Sequence, residues 1–577
     1  MRSIYRALLF ITTILAIASG FGNNLLHADI ESATLLTAAP LQYERIDFVV
    51  MLTAKWQDPY RSTDVRLDLE LSAPSGKPVR VPGFYESGIS GASSVWRTRY
   101  APGEMGRYTG HFVLTQGQDR FVSGPVTFTV GASTKKGFLH LNNSWSLRFD
   151  HGEPFRGIGE NLCWESRTND DSRFFKALHE EPRFNYEYLL GTLAAHGGNF
   201  TRIWMCPWNL PLEWKHVSNA HRYTDDPGHF NASAIRRMDE LIALAESTDI
   251  YFMLTLDAHG SLLGGGWAKN SYHLNQGGPA TAPVDFFTSP IAKTQYRDRL
   301  RYLIARWGYS PHLAVFEFFN EIDNAMYAQK PERISDEVIA AWHAEMSAYL
   351  KEIDPYQHLV STSISHRAVT GLNQIQTLDF NQAHIYKRTD TIPAVLREAL
   401  KNDHKISVIG EFGYEWDWSK DFNAFAGEMD RDFKRGLWLG LFSPTPILPM
   451  SWWWEFFDER KLTSYFTRVR ALHDQMLVSG QGNYDEVKAY WEGSPLRHCL
   501  AVRCGTTTFV LLSNPGSAPI TGKLVLPAAP TNRILVQCLD TETGKTQELP
   551  APSLGQAAIE SIIVPANGEV ILIISEP

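Results

Sequence analysis

The sequence predicts an α/β protein: a (β/α)8 TIM barrel flanked by N-terminal and C-terminal β-sandwich domains. Three observations carry that prediction. From about residue 136 to 478, strand-like apolar runs alternate with long amphipathic helices, the pattern of a parallel sheet whose strands are joined by helical crossovers. That stretch has the length of an eight-fold barrel. On either side of it only short β-type runs separated by turns occur, as in small sandwiches.

Composition narrows the classes of function. The chain has 577 residues, 54 Lys plus Arg and 63 Asp plus Glu, for a net charge of −9. With 44% hydrophobic and 20% charged residues, it has ample apolar surface to bury, which excludes disorder as its main state. The mild acidity argues against a nucleic-acid or anionic-membrane partner, either of which calls for a basic field. Seventeen Trp stand beside 22 Tyr and 31 Phe. Part of that aromatic surplus is core, and part suits a flat, stackable ligand, sugar rings above all.

The elements follow in order. Arg2 and Arg6 precede the apolar run Ala7–Ala18, and Ala16-x-Ala18 offers a cleavage site. Residues 1–20 therefore have the layout of a secretory signal peptide, short for a membrane span, and the mature protein is expected to be secreted or periplasmic, with no membrane partner. Residues 30–135 read as an N-terminal Ig-like sandwich, with strands such as 47–52, 65–71 and 126–130 and turns at Ala73-Pro-Ser-Gly76 and Ala101-Pro-Gly103. Residues 136–478 read as the barrel. Ile235, Met238 and Ile242 mark one helix, followed by a strand from Ile250. Tyr296, Leu300, Leu303 and Trp307 mark a second, ended by Gly308. Val338, Trp342, Met346 and Tyr349 mark a third, N-capped by Ser335. The uncharged stretch Gly436–Trp454 holds three prolines, so it reads as a helix end, a loop and a buried strand. Residues 479–577 read as a C-terminal sandwich. The five cysteines, at 163, 206, 499, 504 and 538, show no metal-ligand spacing. A bridge from Cys538 to Cys499 or Cys504 stays open.

Barrel enzymes place their reacting groups at the C-terminal ends of strands, so the residues that close each apolar run are the candidates. They are Asn161 on the first run, Arg202 and Trp204 on the second, Asp257 and His259 on the third, and Asn320-Glu321 on the fourth. The fifth ends at Ser363, the sixth carries His384-Ile-Tyr386, the seventh Glu411, and the eighth Trp452-Trp-Trp454. Glu321 and Glu411 would face each other across the barrel mouth. Two carboxyl groups about 5 to 5.5 Å apart are the geometry of retaining glycoside cleavage. Arg202 and Tyr386 could stabilise the attacking carboxylate, and Asn320 could donate to the sugar 2-hydroxyl. For either Glu alone, a salt-bridged rim position is the commoner case; the joint pattern with Asn320, Arg202, His384 and Tyr386 favours chemistry. Asp257-Ala-His259 has the look of a metal pair, but no His-x-His stands on the first strand, and no metal or cofactor is expected.

This ordered set resembles that of the clan-A retaining glycoside hydrolases, and within them the family-5-like enzymes of the cellulase and mannanase type. The resemblance covers about residues 40–475. It implies Glu321 as acid/base, Glu411 in Gly410-Glu-Phe-Gly413 as nucleophile, and Asn161, Arg202, Trp204, His259, Asn320, His384, Tyr386, Trp452 and Trp454 as substrate-binding residues. The run Arg301–Pro311 fits the same group. The N-terminal domain, with Val81-Pro-Gly-Phe-Tyr85, resembles an uncharacterised domain that often precedes such barrels. The implied activity is cleavage of a β-linked polysaccharide or oligosaccharide by two-carboxylate double displacement. A carbohydrate-binding protein on an inactive barrel and a transglycosylase using the same residues are the alternatives. Mannan, glucan, xylan and galactan stay open as substrates, as do endo or exo action and the oligomeric state.

Overall fold

The structure, a computed structural model, describes residues 28–526 and 529–576; the expected signal peptide lies outside them. The N-terminal region packs two antiparallel sheets face to face. One has the order 29–35, 46–53, 93–100, 84–87, and the other 78–82, 66–72, 106–116, 119–122, with 126–130 also on 106–116. The strand Ile46–Thr53 alternates strictly between buried and half-buried residues, which is why Phe48, Val50 and Leu52 meet Leu67, Leu69, Phe112 and Leu114 in one core.

The central strands are buried on both faces, as a parallel sheet clad in helices requires. In chain order the elements are β1 (Gly159–Asn161), α1 (Tyr186–Ala195), β2 (Phe200–Trp204), α2 (Ala232–Thr248), β3 (Tyr251–Ala258), α3 (Pro290–Trp307), β4 (Leu313–Asn320), the short α4 (Ile322–Ala328), α5 (Asp336–Ile353), β5 (Leu359–Ser361), β6 (Asn381–Tyr386), α6 (Ile392–Asp403), β7 (Ser407–Gly413), α7 (Ala426–Leu441) and α8 (Phe466–Gly480). Parallel pairing runs β1-β2-β3-β4-β5 and, through Ser363–Ile364 after β5, on to β6-β7. Residues 447–451 form the eighth position. They pair with Gly157 on one side and Phe412 on the other, through Leu448 N to Gly157 O at 2.8 Å and Phe412 N to Met450 O at 3.0 Å. The strands thus close on themselves. Helix starts follow the capping residues: Asn185, Asn231, Ser289 and Ser335 each accept a backbone N–H from the first turn. The buried Arg156 guanidinium binds the carbonyls of Gly440, Leu441, Ser443 and Thr445. It satisfies the end of α7 and fixes the turn into the eighth strand.

The N-terminal domain docks on α3. Asp68, buried on strand 66–72, pairs with Arg66 at 3.1 Å, Arg80 at 2.6 Å and Arg301 of α3 at 2.7 Å. Arg301, in the run that fits the family resemblance, thus serves the domain joint. The C-terminal region has a six-stranded and a three-stranded antiparallel sheet around Val510, Leu512, Leu524, Val536, Ile559 and Leu572. All five cysteines are unpaired thiols, so no bridge from Cys538 forms. Among the described residues no helix is long and apolar enough to cross a membrane.

Candidate active site

The C-terminal ends of the barrel strands surround a cleft of about 670 Å³ lined by residues from β2 onward, among them Trp204, His259, Asn320, Glu321, His384, Tyr386, Glu411 and Trp452. Eight of the eleven site residues expected from sequence line it. Arg202, Asn161 and Trp454 do not, for three different reasons.

Arg202 is fully buried beneath the floor. Its Nε and one Nη grip both oxygens of Glu317 at 2.6 and 2.9 Å, the same fork reaches Asn320 Oδ1 at 2.8 Å, and the other Nη donates to Glu411 Oε1 at 2.8 Å. Burial would push the guanidinium down, but Glu317 and Glu411 outweigh it and raise its pKa, so it stays a cation. It orients Glu411 and Asn320 without reaching the cleft. Asn161 is a correction to the expectation of sugar contact. Its amide nitrogen donates to the carbonyls of Gly410, Met450 and Ser451 at 3.0 to 3.2 Å, so its side chain seams the first, seventh and eighth strands. Trp454 is the second correction. Trp453 adopts a left-handed φ of 72°, which breaks the extended run and starts a helix at Trp454. Trp454 then packs edge-on against Trp164 and Trp452 and is 2% exposed. Of the three consecutive tryptophans only Trp452 lines the cleft.

The two carboxylates face each other as expected, with different surroundings. Glu411, within β7, receives Arg202 on Oε1 and the Tyr386 hydroxyl on Oε2 at 2.7 Å. Burial and the Glu411 charge both raise the Tyr386 phenol, which keeps it a donor. Glu321 follows β4 in a left-handed conformation, φ 52°, uncommon for a residue with a side chain and of the order of 1–3 kcal/mol in strain. The turn is held by Ser363 Oγ, which accepts Glu321 N–H at 3.0 Å. It delivers the carboxylate to Asn324 Nδ2 at 2.9 Å and His384 Nδ1 at 2.9 Å.

His384 stands between the pair, 3.4 Å from Glu411 Oε2, and ligand atoms of Glu321, His384 and Glu411 all lie within 4.8 Å of one another. Burial favours neutral His384, but Glu411 and Glu321 outweigh it and raise the imidazole. Burial likewise favours protonated Glu321. The hydrogen bond and charge of His384, with His259 and Arg202 behind it, reverse that and hold Glu321 down at about 2. Of the pair, the imidazole is thus the favoured proton holder and Glu321 the favoured anion. Asp257 and His259 do not converge on one point. Asp257 turns to Tyr296 and Arg299 at 3.1 and 3.0 Å, while His259 Nδ1 meets Asn320 Nδ2 at 3.2 Å in the cleft.

Glu317, absent from the sequence-based set, was visible as a lone carboxylate inside the apolar run Leu313–Phe319. Only a buried cation could satisfy it there. Thr255 Oγ1 and Gln382 Nε2 complete its shell at 2.6 and 2.8 Å. Asn324 on the short α4, and Ser365, His366 and Arg388 on loops, also line the cleft with Trp416 and Trp418; all stand a few residues past strand ends, where sequence spacing carries no signal of direction.

Known families and structures resemble parts of this chain. Residues 171–424 match the family described as Cellulase (glycosyl hydrolase family 5), and residues 40–112 match DUF5060, a domain of unknown function. Curated relatives include mannan endo-1,4-beta-mannosidase 4 of Solanum lycopersicum, 24% identical over 198 residues, 30% of this chain and 48% of the relative. Mannan endo-1,4-beta-mannosidase 3 of Arabidopsis thaliana is 24% identical over 228 residues, 37% and 48%. The chain spans about half the length of the curated relatives it matches. Among solved structures, a Bacteroides vulgatus ATCC 8482 protein provisionally named a glycoside hydrolase superposes with a TM-score of 0.64 at 14% identity, covering 94% of this chain and all of that one. A glycoside hydrolase family 5 structure from the same organism gives 0.51 at 13% identity, covering 76% and 93%. These two structures share the fold. The chain therefore carries a cellulase-type glycosyl hydrolase family 5 domain behind an N-terminal domain of the DUF5060 type.

Proposed function

We propose that this chain is an exported retaining glycoside hydrolase that cleaves β-linked glycans, with β-1,4-mannan-type backbones the first candidates because the curated relatives are named for that bond. The observation that carries the reading is the approach of two differently held carboxylates, Glu321 and Glu411, on either side of His384. Their separation suits attack by one of them on the anomeric carbon, with no room for a water between carboxylate and sugar.

Glu411, aligned by Arg202 and Tyr386, is the nucleophile. Its Oε forms a bond to the anomeric carbon as the glycosidic C–O bond breaks. Glu321 protonates the leaving oxygen. The resting proton sits on His384 largely because Glu411 is charged; as Glu411 becomes a neutral ester, that hold weakens and the proton passes to Glu321. In the second half-reaction Glu321, now a carboxylate, takes a proton from the water that displaces Glu411. Asn320, with its oxygen fixed by Arg202, presents its amide N–H groups to His259 and the sugar. Trp452 and Trp204 offer apolar faces for the ring. Export rests on the signal layout at the N-terminus.

The test is purified protein on a panel of β-mannan, β-glucan, β-xylan and β-galactan with reducing-end detection, beside Glu411→Ala. Release of reducing ends from at least one of them, abolished in the variant, is expected. Full activity in Glu411→Ala would refute the assignment, and glycan binding without cleavage would replace it with a carbohydrate-binding role.

A further inference from the structure

The cleft wall after β6 carries a charge that the reaction above does not use. Arg388 lines the cleft and is exposed, and among the described residues its guanidinium has neither an ion pair nor a hydrogen bond. The neighbouring acids are engaged elsewhere. Asp390 is taken by Arg435, Arg497 and His498. Asp432 binds Thr389 at 2.8 Å. Glu415 is held by two ammonium groups, Lys387 at 2.9 Å and Lys420 at 2.5 Å. Within the cleft, Glu411 is saturated by Arg202 and Tyr386, and Glu321 by His384 and Asn324. In a chain of net charge −9, this rim therefore presents an uncompensated cation beside the sugar platform of Trp416 and Trp452. On the adjoining loop, His366 is held facing the same cleft because Asp323 accepts the backbone N–H groups of Ser365, His366 and Arg367.

A neutral glycan gives such a guanidinium only hydroxyl partners. A planar oxyanion engages its fork with two parallel charge-assisted hydrogen bonds, and low-dielectric cleft walls strengthen the attraction. We propose that Arg388 is a specificity-determining residue that binds an oxyanion substituent of the glycan, a uronate carboxylate or a sulfate ester, near the scissile bond, with His366 as a second donor. This rests on the glycan-cleft reading above and narrows its substrate class to acidic glycans.

The test is affinity electrophoresis of the intact Glu411→Gln protein, which leaves the gel undigested, through galactomannan, carboxymethyl-galactomannan and sulfated galactomannan, beside the double variant with Arg388→Ala. Retardation about tenfold stronger in an anionic gel than in the parent gel, lost on adding Arg388→Ala, is expected. The gel that retards most distinguishes carboxylate from sulfate. Equal retardation in all three gels, no retardation in any, or an anionic preference that survives Arg388→Ala overturns the proposal. Wild-type product release from the neutral panel is read separately, so failure of hydrolysis and failure of the anionic subsite are distinct results.

Discussion

The ends of β4 and β7 carry the same side chain, and the protein treats the two oppositely. At β7, Glu411 stays within the regular strand and is pinned on both oxygens by permanent donors, a guanidinium and a phenol. At β4 the chain turns left-handed at Glu321, and the carboxylate bonds an amide and the titratable imidazole of His384, at 2.9 Å its nearer partner against 3.4 Å to Glu411. A fixed cation and a phenol hold a carboxylate in one place, whereas an imidazole makes it one half of a proton store. The division of labour between nucleophile and acid/base thus lies in the neighbours and not in the carboxylates.

That contrast can be broken one partner at a time. Removing the nucleophile has the largest effect. Glu411→Gly loses at least about 10⁴-fold in kcat/KM and, given an α-glycosyl fluoride, joins sugars without hydrolysing the product. Glu321→Ala loses roughly 10²–10⁴-fold on natural linkages and far less on aryl glycosides whose leaving group needs no proton; equal losses on both would erase the distinction. Glu317→Ala strips Arg202 of its main partner and leaves the buried cation only Glu411 to balance it. Denaturant melts should show a destabilisation of about 3–5 kcal/mol. Tyr386→Phe removes one hydrogen bond to a charged group, about 1.5–3 kcal/mol, read as a 10- to 100-fold fall in kcat with the fold intact.

The smallest and most diagnostic change is in pH dependence. His384 is raised, so the Glu321–His384 pair keeps its proton beyond the ordinary histidine value of about 6.5 and loses it as pH rises through the raised one. The stabilisation from that raised group is likewise full below about 6.5 and lost over the same rise. Glu321, depressed to about 2, contributes stability that disappears only as pH falls towards that value. In His384→Gln the proton rests on Glu321 alone, and the alkaline limb of kcat/KM moves to lower pH. An unmoved limb would show that His384 takes no part in the store.

The barrel and its carboxylates were legible because they depend on period and position. Alternating apolar runs and capped helices mark a parallel sheet, and the residue that ends each run falls at the mouth. Asn161 and Trp454 misled for one reason, that a strand-end position does not say which way the side chain turns. Asn161 meets three carbonyls where strands seam, and the left-handed Trp453 rotates Trp454 out of the cleft. Glu317 announced itself as a charge in an apolar strand, but its partner 115 positions away is fixed only by closure of the barrel. The Cys538 bridge failed because strand pairing sets each thiol opposite a residue other than cysteine, Cys499 opposite Leu512, Cys504 opposite Thr507 and Cys538 opposite Leu572.

The central claim is that Glu411 forms the covalent bond to sugar. A 2-deoxy-2-fluoro glycosyl fluoride of whichever sugar the polysaccharide panel identifies slows release of the intermediate, so intact-mass analysis followed by peptide mapping locates it. One glycosyl adduct on the peptide containing Glu411, absent in Glu411→Gln, is the predicted result. An adduct on Glu321, or steady turnover of the reagent with no adduct at any residue, would contradict it.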